Sequence, residues 1–500
     1  LSEQLSVRLR TILTLDPPAS AIEYHGAWTD WATLHGVATG VEHRLAAAGL
    51  GAGSPVGLVL RNHPAMVGAL IGVLLSGATV VTLNAAHGDA GLAADIAELN
   101  LAAVIATDAD WRRPGLLDAA SGALGLSATL DWPAVTVLPG LGVAGPGPFR
   151  SEPDGVAVEM LTSGTTGPPK RIPLTYRSFE RTVAAASTHY SAAGDQAPRL
   201  RSGVAIVAAP LVHMSGLFRT LLNICEGRRI ALLERFTVAE FVDAVQRHRP
   251  RAVSLVPSAM AMILDADVAP DVFAAVDVVT SGTAHLPVAV QEEFEQRYGV
   301  AVLPSYGATE FAGGVAGWNL ALHRQWAQAK RGSVGRPQRG REIRITSLDN
   351  DAGVGPNVQG RIEVRTHGGD WVRTTDLGRL DADGFLYVDG RTDDVIIRGG
   401  FKVAPGDIVK ALRSHPGVRD AGVTGLPDRR LGAIPVAAVE PAAGVHVDPG
   451  ELLGFLRERL TRYQLPARIL VVDELPRTAS LKVSQPALRD LFSQNQEVHT

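Results

Sequence analysis

The sequence has almost no cysteine: Cys225 is its one thiol in 500 residues. That excludes an intramolecular disulfide framework and a cysteine-based zinc cluster, and a reducing, cytoplasmic compartment is the expectation. Cys225 itself sits in NICEG with no adjacent base, so it reads as a small buried hydrophobe and not as a nucleophile. Runs of like charge are also missing. Lys+Arg 47 against Asp+Glu 51 gives a net charge of -4 with both signs scattered, which argues against nucleic acid or an anionic membrane as the main partner. The opening LSEQLSVRLRTILTL lacks the continuous apolar segment of an export signal. From Ala65 to Leu83 no residue is charged, long enough for a membrane span, yet Ser76-Gly77 divides it into a small-residue half and a β-branched half. Helix, turn and buried strand are expected there, with no stable membrane insertion.

Short apolar runs are what the chain does have: PVGLVL, AAVIA, GVAIVAAP, RAVSLVP, VDVVTSG and VAVLPSYG, with helical periods such as VAEFVDAVQRHR and PVAVQEEFEQRYG between several of them. Strands alternating with helices predict an α/β protein with parallel sheets, whose ligands collect at the carboxyl ends of strands. After about residue 340 the strands become shorter and more polar (REIRIT, GRIEVRT, GFLYVDG), predicting a smaller antiparallel sheet or barrel. A compact α+β unit of about a hundred residues then follows. The predicted organisation is a large N-terminal domain over 1–390 that includes the barrel-like piece, a boundary at 391–394, and a small domain over 395–500.

One loop raises the question of chemistry. LTSGTTGPPK, residues 161–170, follows the strand-like VAVEM. By itself it is either a Ser/Thr/Gly connector or an anion cradle built from amides and hydroxyls between Thr162 and Gly167, with Lys170 as a mobile charge. It is not a Walker loop, because Pro169 and Arg171 flank the lysine. APLVHMSG (209–216), TSGTAHLP (280–287), SYGATE (305–310), RTTDLG (373–378), GRTDDVIIRGGFKV (390–403) and LPRTASLK (475–482) follow it in order. This ordered series, covering nearly the whole chain, resembles the adenylate-forming superfamily, in its branch of acyl-CoA synthetases acting on fatty or aryl acids.

The resemblance implies ATP, Mg²⁺ and coenzyme A, and a reaction in which a carboxylate attacks the α-phosphate, pyrophosphate leaves, and the acyl group passes from AMP to a thiol. It implies that Thr162, Ser163, Gly164, Thr165, Thr166, Gly167 and Lys170 hold the β- and γ-phosphates. Gly282, Thr283 and Ala284 would wall the adenine, on which Tyr306 packs; Thr309 would reach phosphate and Glu310 would bind Mg²⁺. SYGATE is expected to follow a strand. Asp376 and Arg391 are the implied ribose contacts, Asp393 the hinge, and Gly400 and Lys402 belong to the implied pantetheine tunnel. Lys482 is the implied catalytic lysine, neutralising charge at the reacting carboxylate. Leu481 stands where the family's usual glycine would be, so the backbone there must avoid positive φ or bear strain.

The middle motif offers His213, Met214 and Ser215 but no acid, which disfavours an amino-acid substrate. His213 is either a contact of the carboxylate or a satisfied core histidine. Gly307, Ala308, Ala312, Gly313 and Gly314 around Glu310 are small, predicting a roomy apolar pocket for a hydrophobic acid. No carrier domain lies in the residues after Lys482 and no long insertion separates RTTDLG from GRTDD, so free coenzyme A is the expected acceptor. A ligase that loads an acyl-carrier protein is the alternative, and a non-catalytic nucleotide-binding homologue is a further one suggested by Leu481.

Overall fold

The computed structural model describes residues 3–150, 155–162, 170–190, 197–366, 368–392, 395–398, 401–428, 430–478 and 481–494. These form two compact units, one up to Gln325 and one from Trp326 onward. No described helix is long and apolar enough to cross a membrane.

The first unit is α/β. Its larger sheet runs in the order Val135–Val137, Leu124–Ala128, Ala103–Ala106, Pro55–Leu60, Thr79–Asn84, Val156–Thr162, Lys170–Thr175, with antiparallel pairing only at the two ends. Pro55–Leu60 is buried at every position, as a central parallel strand covered on both faces must be. The uncharged stretch divides as the sequence implies, into a helix Pro64–Leu75 and a strand Thr79–Asn84, with Gly77 at φ +77° making the turn between them. Parallel Arg201–Val207, Arg228–Leu232 and Ser20–Tyr24 make a second sheet. In a third, Ala252–Ser254, Val278–Ser281 and Ala301–Ala308 run parallel, and Gly313–Gly317 returns antiparallel to the last.

The second unit opens with Arg341–Thr346, Gly360–Thr366, Trp371–Leu380 and Leu386–Arg391, paired in sequence order as an antiparallel meander. The barrel-like piece is thus an open four-stranded sheet among the described residues, and by contacts it groups with the C-terminal residues. A long hairpin of Val418–Asp428 and Gly432–Pro441 forms the backbone of the following sheet, joined by Ile396–Arg398, Phe401–Val403 and Arg468–Val471. The amphipathic helices Pro405–Arg413 and Pro449–Arg457 bury Ile408, Leu412, Leu452 and Leu456 in its core.

Candidate functional site

In the first unit, the two strands that flank the Ser/Thr/Gly stretch pair with one another. Thr162 pairs directly with Lys170 and Leu161 with Arg171 across an antiparallel ladder. Ser163, Gly164, Thr165, Thr166 and Gly167 lie outside the described residues. Below the ladder the buried Glu159 accepts a hydrogen bond from Arg150 at 2.7 Å and lies 3.5 Å from Arg171, which also donates to the Thr82 carbonyl. Burial pushes the Arg171 guanidinium below its ordinary pKa. A buried carboxylate between two arginines fixes the loop's platform, and sequence reasoning passed over it; the signal was a lone Glu inside the apolar run VAVEM.

Two neighbouring parallel strands deliver the expected nucleotide residues at their carboxyl ends. Val278–Ser281 leads into Gly282, Thr283 and Ala284, while Ala301–Ala308 carries Tyr306, Gly307 and Ala308. SYGATE therefore does not follow a strand, as expected, but forms the strand's end and the tight turn Thr309–Phe311, because the returning Gly313–Gly317 pairs with it. Ser305 donates to the Ser281 carbonyl at 3.1 Å, and a Cβ on Gly282 would come within 2.8 Å of that hydroxyl. Tyr306 is buried, Thr309 half-buried and Glu310 exposed. Gly307 faces Gly314 and Ala308 faces Gly313; a Cβ at 307 would sit 2.4 Å from the Gly313 carbonyl oxygen. The hairpin itself thus requires glycine at 307. Ala312 is buried at φ +55°.

No trio of His, Cys, Asp or Glu able to hold a metal occurs among the described residues. An exposed Glu310 at a turn fits magnesium, which takes one or two carboxylates and completes its shell with phosphates and water.

His213 is the N-cap of the helix Met214–Cys225, and its side chain makes no capping bond. His213, Met214 and Ser215 are half-buried. Gly216 lets this helix start against the preceding segment, since a Cβ would lie 2.2 Å from the Pro210 carbonyl oxygen. One turn on, Arg219 donates to Thr280 Oγ1 at 2.9 Å, two residues before Gly282. This guanidinium, beside a region expected to be apolar, was not singled out from the sequence. Cys225 at the helix end is buried and its thiol is pushed up to about 12, so it is inert.

In the second unit, Asp376 and Arg391 are direct cross-strand partners. Arg391 donates to Thr375 Oγ1 at 2.6 Å, and Thr392 N–H to the Thr375 carbonyl at 2.6 Å, which fixes the pair at the sheet's end. The charges of both act on Lys482. Burial of its ammonium, and then Arg391, lower its pKa, while Asp376 works in the opposite direction, although the lysine keeps an exposed face. It sits at the end of a tight hairpin: Thr478 N–H donates to the Lys482 carbonyl at 2.7 Å, Leu481 N–H to the Thr478 carbonyl at 2.8 Å, and Arg477 bridges Val483. Leu481 takes φ +61°, so of the two outcomes expected at this position the backbone adopts the strained one. Lys402 lies on the strand Phe401–Val403, opposite Ile397; Gly400 and Asp393 are outside the described residues.

A sequence profile described as "AMP-binding enzyme" matches residues 13–369, and one described as "AMP-binding enzyme C-terminal domain" matches 408–482. The chain is 31% identical to the 2-succinylbenzoate–CoA ligase of Geobacillus kaustophilus, over 97% of both chains. It is 32% identical to the sulfoacetate–CoA ligase of Cupriavidus necator, over 88% of both. Among solved structures, the o-succinylbenzoate coenzyme A synthetase of Bacillus subtilis in complex with ATP and magnesium superposes with a TM-score of 0.77 at 26% identity, covering 97% of this chain and 99% of that one.

Proposed function

Since the chain belongs to the AMP-binding enzyme family, we propose that it is an AMP-forming acid–thiol ligase that activates a carboxylic acid as its acyl-adenylate and transfers the acyl group to coenzyme A. What supports this reading lies in the second unit: Asp376 and Arg391, the two residues the family resemblance assigns to the ribose, are direct cross-strand partners, and the charges of both act on Lys482. A cation there neutralises the attacking carboxylate and the α-phosphate as they approach. The pairing of Thr162 with Lys170 brings together the two ends of the stretch assigned to the leaving pyrophosphate. When bound, Mg²⁺ at Glu310 supplies charge neutralisation to the phosphates. Neither half-reaction needs a protein nucleophile, in keeping with the inert Cys225. The relatives' coenzyme A chemistry favours the free cofactor over a carrier protein as acceptor, and a cytoplasmic setting goes with it.

For the acid, the expectation of an apolar body rests on the absence of an acid in His213, Met214 and Ser215, because the space beside Gly307 and Gly313 is taken by the hairpin backbone and by Thr182. Arg219 favours a second reading within the same chemistry, an acid bearing an additional anionic group, and both relatives named above act on acids of that kind. ATP–pyrophosphate exchange against a panel of apolar mono-acids and their dicarboxylic counterparts decides between them. Lys482→Ala is expected to lower exchange by about 10²-fold or more. A fully active Lys482→Ala enzyme overturns the catalytic assignment, and adenylate formation without any coenzyme A thioester overturns the acceptor.

A further inference from the structure

The segment that leads to Lys482 is joined to the sheet beneath it at Arg477 and at Leu475, whose N–H donates to Glu440 Oε2 at 3.4 Å. Arg477 stands at the hairpin's base, where Ser484 N–H also donates to the Pro476 carbonyl at 2.8 Å. Its Nη2 donates to Asp420 Oδ2 at 2.7 Å and to Glu440 Oε2 at 3.3 Å, and its Nη1 reaches the Leu481 carbonyl at 3.4 Å. Asp420 and Glu440 are cross-strand partners on the long hairpin, so two carboxylates stand side by side, and Glu440 is only 1% exposed. Arg413 pairs with Asp420 at 2.6 Å and Arg419 pairs with Glu440. Three arginines thus compensate two carboxylates, and the third of them, Arg477, also reaches the turn that carries Lys482. A planar guanidinium can bridge both acids and a carbonyl at once, which an ammonium cannot.

We infer that Arg477 is a positioning residue for Lys482, fixing the register and aim of the lysine hairpin through Asp420 and Glu440. The inference rests on the adenylation role proposed for Lys482. The backbone bonds close the turn, while the Arg477 guanidinium ties it to both carboxylates of the sheet, so its loss shifts the turn's aim, and a misplacement of about 1 Å costs up to about 10²-fold in rate.

The test uses the full chain with Arg477→Met, Arg477→Lys and the charge-balanced double variant Arg477→Met with Glu440→Gln. Pyrophosphate exchange reports adenylation, and thioester formation from synthetic acyl-adenylate and coenzyme A reports the second step. The chain's other lysines are Lys170, Lys330, Lys402 and Lys410, so the methyl signal of reductively ¹³C-methylated Lys482 is identified by its loss in Lys482→Arg, and its titration reports the lysine's placement without turnover. Arg477→Met is expected to lower exchange about 10- to 100-fold, leave thioester formation within about threefold, and move the Lys482 titration toward that of a free lysine. The double variant is expected to recover thermal stability but not exchange. Exchange within about threefold of the parent, or recovery of both half-reactions in the double variant, overturns the inference and leaves Arg477 a structural residue. If the parent enzyme activates no acid, the ligase reading falls, and the Lys482 titration alone then decides: unmoved by Arg477→Met, it overturns the positioning role, and moved, it upholds it.

Discussion

At the scale of single residues, Leu481 bears a conformational load that its neighbour uses. Thr478 N–H donates to the Lys482 carbonyl and Leu481 N–H to the Thr478 carbonyl, with Leu481 in the left-handed conformation where glycine is the usual choice. A β-carbon in that region costs about 1–2 kcal/mol, whereas glycine's greater freedom in the unfolded chain costs about 0.5–1. Leu481→Gly is therefore expected to stabilise the second unit by up to about 1 kcal/mol, read as a higher denaturant midpoint; a lower midpoint would mean that side-chain contacts of Leu481 outweigh its backbone strain. Lys482 gives a prediction in pH. In the role proposed for it the charged form is the one adenylation needs, and its pKa is lowered, so the alkaline limb of the exchange rate is expected below the range of an ordinary lysine. Burial is the largest cause and Arg391 the second. Arg391→Gln should move that limb to higher pH without restoring it fully, and Asp376→Asn, which removes a charge that favours the ammonium, should move it lower. Limbs that shift the opposite way would separate the observed titration from Lys482.

At the scale of elements, the helices Trp31–Ala47 and Pro64–Leu75 meet at two glycines. A Cβ on Gly68 would lie 2.7 Å from Val37, and one on Gly72 would lie 2.5 Å from the Ala38 carbonyl oxygen. Gly72→Ala gains about 1 kcal/mol in helix propensity, but its nearest obstacle is backbone, and overpacking a core costs about 1–3 kcal/mol. A lower melting temperature is expected, and a higher one would show that the helices part easily. The same region explains what could be read in advance. Pro64–Leu75 and Thr79–Asn84 were legible because the helical and strand periods are local and Gly77 marks the turn between them. The end of SYGATE was not, because Tyr306 and Gly307 stay in a strand only through pairing with Ala316 and Gly314, a partnership no local period records. The side-chain pairs were equally hidden: Arg219 with Thr280 and Arg477 with Asp420 and Glu440 join residues 37 to 61 positions apart. The hairpin Val418–Asp428 with Gly432–Pro441 went unread because its strands alternate weakly and carry Gly and Pro.

At the scale of the whole molecule, the two half-reactions make conflicting demands on the same surface. On the proposed reading the Lys482 ammonium serves adenylation, and the thiol that attacks the acyl-adenylate would need this lysine elsewhere and the segment of Gly400 and Lys402 in its place. The proposed answer is rotation of the C-terminal part about Asp393, which requires free φ and ψ at that residue. Proline locks φ near −65°. Asp393→Pro is therefore expected to slow thioester formation from preformed acyl-adenylate by about 10-fold or more while leaving pyrophosphate exchange within a few fold. Lys482→Ala should give the reverse profile, and the two substitutions together should lose both steps. Single-turnover measurements of each half-reaction separate these profiles. Equal loss of both steps in Asp393→Pro would remove the hinge and leave this residue a structural part of the segment that follows Arg391.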